Sequence, residues 1–380
     1  LFPYTTLFRS NSTIFKRKNY IETNIICGLV FFSFLIGILL ALNLFDIKII
    51  LLFIVIGLIF TILKKKKLYN FDNKNLIIIF LLTIVFLIFI KNNFYSIDDI
   101  HGYFFSINNF IINNGLYETD LRHRDYFTFP FFSTINALFI STSDFYSAWF
   151  FDIFFGSLII LFTIKRNIKS KKIHFFALAC FVIFFSFVTT QKTNSAKIII
   201  TALTLANLFE IEKYHKKNGE VLYIFILSIL LIILKFITIA SFLNLFICFI
   251  FLNKIYKKRI NLSNILFSTI FALIIILPWM IYNFQVFATP LGELMNSPYH
   301  YYDNDYFKDL NFKFVHQITF FKFLYTRQII FILILFTLYF LLCKDDIYFK
   351  SALVISFVIF YIFLGSIMYS DKSNFLRYAN

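Results

Sequence analysis

The chain has 380 residues, of which 60% are apolar and only 15% charged, and its mean hydropathy is +0.79. A soluble domain carries about a quarter charged residues; this chain cannot cover its apolar residues with a polar surface, so composition excludes a soluble globular fold and makes lipid the solvent. The net charge of +16 does not argue for nucleic acid, because the lysines stand in short runs between apolar segments, where positive charge sets membrane topology.

The abundance of Phe, Ile, Asn and Lys points to an AT-rich genome, which accounts for part of that charge. Cys27, Cys180, Cys248 and Cys343 fall in or at the ends of apolar runs and read as small buried hydrophobes. Neither a glycine-rich phosphate loop nor a metal-spaced His/Cys cluster is present. Residues 1–10, LFPYTTLFRS, read as the translation of a sequencing adapter and are set aside. Residues 11–380 are expected to form a single transmembrane domain, truncated at both ends.

In chain order, apolar runs at 24–44, 47–63, 75–91, 145–164, 173–190, 196–210, 221–235, 237–252, 263–283, 328–343 and 349–369 predict an all-α fold. That is about 10–11 transmembrane helices, with amphipathic helices at the membrane surface. Basic clusters at Lys16–Lys18, Lys64–Lys67, Lys165–Lys172, Lys213–Lys217 and Lys254–Arg259 mark the cytoplasmic loops. Residues 127–142 are apolar enough for a short span, but counting them as one would put Lys165–Lys172 outside. They are therefore expected to form a juxtamembrane or re-entrant helix, leaving outer loops at about 92–144 and 284–327.

In the first outer loop, Ile100, Tyr103, Phe104, Ile107, Phe110 and Ile111 follow helical spacing. The spacing predicts an amphipathic helix along the membrane surface, with Asp98 or Asp99 as its N-cap and Asn114-Gly115 as its stop. The Asp98–Asp99 doublet, with His101 beyond it, could serve as a general base, hold a divalent cation such as Mg or Mn, or simply cap the helix. Arg122 and Arg124 suit a phosphate, and equally suit lipid headgroups or the nearby carboxylates. Pro278-Trp279 with Asn283 reads as a span ending at an interfacial Trp. Asp152, within an apolar run, is expected to pair with a neighbour, and Lys235 to snorkel or face a polar cavity.

Taken together, SIDDIHGY (96–103), IINNGLYETD (111–120), FTFPFFSTINALFI (127–140), LPWMIYNFQVFATPLGEL (277–294) and SNFLRYAN (373–380) resemble the GT-C superfamily of membrane glycosyltransferases. The relatives in view are protein O-mannosyltransferases, lipid A aminoarabinose transferases and bacterial oligosaccharyltransferases. Two features depart from their pattern: more than one span precedes the acidic motif, and the loop Thr189–Asn194 lacks an acidic residue. The resemblance implies inverting sugar transfer from a polyprenyl-linked donor to a glycan, lipid or protein acceptor. It places the active site on the outer face of a bacterial inner or plasma membrane. Asp98 and Asp99 would be catalytic, and Arg122, Arg124, Arg377, Tyr378 and His101 would bind the substrate and its lipid phosphate. The rivals are a transporter or flippase of lipid-linked glycans, and a polysaccharide polymerase or ligase using His300, His316, Lys322 and Arg327.

Overall fold

The computed structural model describes residues 21–63, 104–115, 129–142, 147–167, 196–215, 220–234, 239–256 and 262–287, with isolated positions 77, 80, 81, 83, 84, 179, 290 and 355. Among the described residues the structure is all-helical. In chain order the helices are α1 (Ile21–Ala41), α2 (Ile47–Leu63), α3 (Phe104–Asn113), α4 (Phe131–Thr142), α5 (Ala148–Asn167), α6 (Lys197–His215), α7 (Val221–Leu234), α8 (Ile239–Ile255) and α9 (Leu262–Phe287). Residues Phe151–Phe155 of α5 are wound as a π-helix. Three segments, Glu22–Ala41, Ala148–Asn167 and Leu262–Val286, are long and apolar enough to cross a membrane.

Seven of the expected apolar runs reappear as α1, α2 and α5–α9, with ends shifted by a few residues. The runs at 173–190, 328–343 and 349–369, and most of 75–91, lie outside the described residues. Local chemistry sets several of the boundaries. Asn43 takes a left-handed φ of 56°, letting its own N–H reach the Leu40 carbonyl at 3.0 Å and that of Leu44 reach Leu39 at 2.8 Å. These bonds satisfy the last carbonyls of α1. Asp46 then opens α2, its carboxylate accepting from the Lys48 N–H at 2.7 Å. Asn114, with φ 55°, ends α3 where the sequence placed its stop.

The chain forms two compact units. The first comprises residues 1–210, 220–239 and 262–296. Within it α9 packs against α1 and α7, α5 against α1, and α3 against α4. The α1–α9 contact is parallel: Trp279 donates to the Ser33 hydroxyl at 3.1 Å, and further along both helices Gln285 donates to the Ala41 carbonyl at 2.9 Å. Gly37 makes this approach possible, because a Cβ there would stand 3.0 Å from the Trp279 indole nitrogen. At the opposite end of α1, Glu22 accepts from Arg166, in the last turn of α5, at 2.8 Å.

The turn after α1 lies at the end that carries α3 and the tail of α9. Phe45 meets Phe110 edge-on at 5.6 Å, and the Tyr282 hydroxyl stands 3.4 Å from where a Gly115 Cβ would be. The first unit therefore gathers at one end the segments that the basic clusters assigned to the outer face. The second unit comprises 211–219, 240–261 and 297–380. In it the last turn of α6 packs its aromatic side chains on α8, Tyr214 against Phe249 at 5.4 Å and His215 against Tyr256 at 5.8 Å.

Two expectations are corrected. Trp279 is not an interfacial residue at a helix end: it is fully buried, and α9 continues past it to Phe287. Pro278 leaves one carbonyl of the preceding turn without its helical donor, yet the helix is carried through by the indole's fit over Gly37 and its bond to Ser33. Part of the apolar face of α3 is also taken up by protein. Ile107 and Phe110 are buried, Phe110 lies against Phe45, and the helix packs on α4.

Candidate functional site

The residues singled out for chemistry, Asp98, Asp99, His101, Arg122, Arg124, Arg377 and Tyr378, lie outside the described residues, as do Lys235, His300, His316, Lys322 and Arg327. The described structure shows what brackets them. α3 begins five residues after Asp99, and Arg122 follows Asn114 by eight. That helix is seated by Phe45 on one side and by Tyr282 at its end. Among the described residues no group of three His, Cys, Asp or Glu side chains could hold a metal; Asp98 and Asp99, read as able to hold a divalent cation, lie outside them.

α4 is the helix that the charge bookkeeping made juxtamembrane or re-entrant. At 12 residues it rises about 18 Å, short of the roughly 30 Å of a bilayer core. Residues 129–138 are all buried, and α4 touches α1, α2, α3, α5 and α7. A helix enclosed on every side needs apolar residues all round, which is why FFSTINALFI reads like a span. Its polar residues fare differently. Thr134 turns its hydroxyl back to the Pro130 carbonyl at 2.7 Å. Asn136 is completely buried, and neither atom of its amide finds a partner among the described residues.

Beside α4, the π segment of α5 presents a cluster of rings. Phe132 lies 6.1 Å from Phe151, and Phe139 lies 5.4 Å from Phe150. The same segment aims Asp152 at the start of α6. Its carboxylate oxygens accept from the N–H groups of Ile198 at 3.3 Å and Ile199 at 2.8 Å. These are first-turn donors that a capping side chain would normally satisfy, but the residue before α6 is Ala196, which has no acceptor. Asp152 supplies the cap from another helix, and its negative charge meets the positive end of the α6 dipole. Gly156, one turn on, makes room: a Cβ there would fall 2.8 Å from the Ile199 nitrogen. The neighbour expected for Asp152 is thus backbone.

In the second unit His215 donates from Nδ1 to the Ile211 carbonyl at 2.7 Å, and its Nε2 stands 3.0 Å from the Asn253 amide oxygen. Burial pushes the adjacent Tyr214 hydroxyl above its ordinary value, because it disfavours the phenolate. Cys27 is half-buried and Cys248 buried. Sequence reasoning did not find Asn136 or the Glu22–Arg166 pair. The pair had a usable signal, an acid opening one apolar run and a base closing another on the same predicted side. Compared with protein-family models, curated proteins and solved structures, the chain gives no match.

Proposed function

We propose that this chain is a polytopic membrane glycosyltransferase of the GT-C kind, moving a sugar from a polyprenyl phosphate or diphosphate donor to a glycan, lipid or protein acceptor. The observation that carries the reading is the Asp98–Asp99 doublet, five residues ahead of a helix docked at the same end of the first unit as the tail of α9. Three helices fit to cross a membrane support a site held at a lipid surface, where a polyprenyl chain can stay in the bilayer while its head reacts. The site faces the cell exterior or periplasm, from a bacterial inner or plasma membrane.

In this mechanism an aspartate, Asp98 or Asp99, takes the proton of the acceptor hydroxyl as its oxygen attacks the anomeric carbon. The bond from that carbon to the phosphate oxygen breaks on the opposite face, so configuration inverts. Arg122, Arg124 and Arg377 balance the charge that develops on the departing phosphate, and His101 and Tyr378 hydrogen-bond the substrate. A divalent cation held by Asp98 and Asp99 would serve the same phosphate. The test is Asp98→Asn and Asp99→Asn, assayed for sugar transfer and for yield of monodisperse protein. Asparagine keeps the size and polarity of aspartate, so yield should hold while the rate falls about 10²–10⁴-fold in the variant lacking the base. Full activity in both and in the double variant sinks the reading.

A second reading, a flippase of lipid-linked glycans, draws on the π segment of α5 and on Pro278 within α9, since transporters build sites at interrupted helices. It requires labelled glycan lipid to change leaflets in proteoliposomes without any new glycosidic bond.

A further inference from the structure

Among the described residues of the first unit, Asn136 is the least satisfied buried side chain. It is 0% exposed, and both amide atoms lack a partner among the described residues. Burying an amide without hydrogen bonds is costly, whereas an apolar residue of the same shape would be neutral or stabilising there. Thr134 and Ser141 on the same helix escape that cost by bonding back to Pro130 and Leu138, and Asn167 does the same to Thr163 in α5; Asn136 makes no such bond. On the helical wheel Asn136 stands within about 60° of Phe132 and Phe139, the two residues whose rings meet the π segment of α5. An amide offering one donor face and one acceptor, bordered by aromatic rings, matches the chemistry of a sugar. Adjacent hydroxyls both give and accept hydrogen bonds, and the C–H face of a pyranose lies against an aromatic plane.

We propose that Asn136 is a substrate-binding residue that hydrogen-bonds hydroxyls of the donor's sugar, reached when the rings of Phe132 and Phe139 turn aside. The proposal rests on the glycosyltransferase reading and adds a sugar contact that lies outside the loops carrying the carboxylates and arginines. It accounts for a polar residue kept where the fold alone would favour leucine.

The test compares wild type with Asn136→Leu in the full chain, purified in detergent. Two probes are used: a short-chain polyprenyl phosphate carrying one hexose, and the same lipid phosphate without sugar. Wild type should bind both. In Asn136→Leu, affinity for the sugar-bearing lipid should fall about tenfold, affinity for the bare lipid phosphate should be unchanged, and Tm should rise by roughly 1–4 °C. Asn136→Ala removes the same amide with no added bulk and should lose the same affinity, so a misfolded leucine variant leaves the binding arm readable. Equal weakening toward both lipids, no weakening in either variant, or a Tm lowered by several degrees in Asn136→Leu with binding intact overturns the inference. Failure of wild type to bind either lipid instead overturns the glycosyltransferase reading, and this inference with it.

Discussion

Asp152 is a carboxylate buried in an apolar helix, and such a residue is by default suspected of a role in transport or catalysis. Here its two oxygens are taken up by the first-turn amides of α6. Asp152→Ala leaves those donors unmatched and should cost about 1.5–3 kcal/mol. Asp152→Asn keeps an acceptor and should cost about 1 kcal/mol; thermal unfolding of the two variants in detergent checks the order, and equal losses would argue against the cap. Gly156→Ala should destabilise by about 1–3 kcal/mol, because its Cβ would meet the Ile198–Ile199 backbone, which cannot give way, as well as the Ile198 Cγ2. At Tyr214 the folded state holds the hydroxyl proton more tightly than the unfolded chain does. The stability this contributes is fully present below the ordinary tyrosine range of about 10 and is lost as pH rises through the higher folded value. Alkaline melts should therefore fall more steeply for wild type than for Tyr214→Phe.

At the scale of elements, the α1–α9 joint shows how a helix survives an internal proline. Pro278 leaves a carbonyl without its donor, and the cost is offset where Trp279 fills the space that Gly37 leaves and bonds Ser33. Gly37→Leu should force the two helices apart and unfold the first unit at lower temperature than Pro278→Ala, which restores a backbone bond without touching the fit. Melting curves of the two variants would decide it, and a more damaging Pro278→Ala would mean that the kink matters more than the packing. α3 illustrates a different balance. Among its described side chains Ile107 and Phe110 are buried and Ile112 is 66% exposed, and Phe110 is seated on Phe45. Phe45→Ala should loosen α3, seen as faster labelling of a cysteine introduced at Asn109.

At the scale of the whole molecule, the Glu22–Arg166 pair ties the start of α1 to the end of α5, and Ala41, α3 and Gln285 gather at the other end. The topology proposed here puts the first group at the cytoplasmic face and the second outside. Cysteines introduced at Asn43 and Asn167 should then label from opposite sides of intact cells. Labelling from the same side would break the alternation of spans on which the outer-face site depends. Reversing the pair, Glu22→Arg with Arg166→Glu, should recover part of the stability lost in either single variant, as a double-mutant cycle would measure.

The sequence by itself determined the described helices, because uniform apolar runs bounded by lysines and asparagines leave the backbone no other way to satisfy its hydrogen bonds. Through the charge bias of the following loop it led to the expectation that residues 127–142 form a juxtamembrane or re-entrant helix; in the structure α4 has 12 residues. It named the acids and arginines of the outer loops from spacing and resemblance. Only the tertiary structure decided which polar residues inside the apolar runs are answered and which are not. Asp152, Ser33, Glu22 and Asn136 look alike in a hydropathy profile. The first three meet partners from helices 46, 246 and 144 residues away, and Asn136 meets none among the described residues. Hydropathy registers the transfer of each residue alone, whereas the cost of burying a polar group is set by the partner that the packing brings to it.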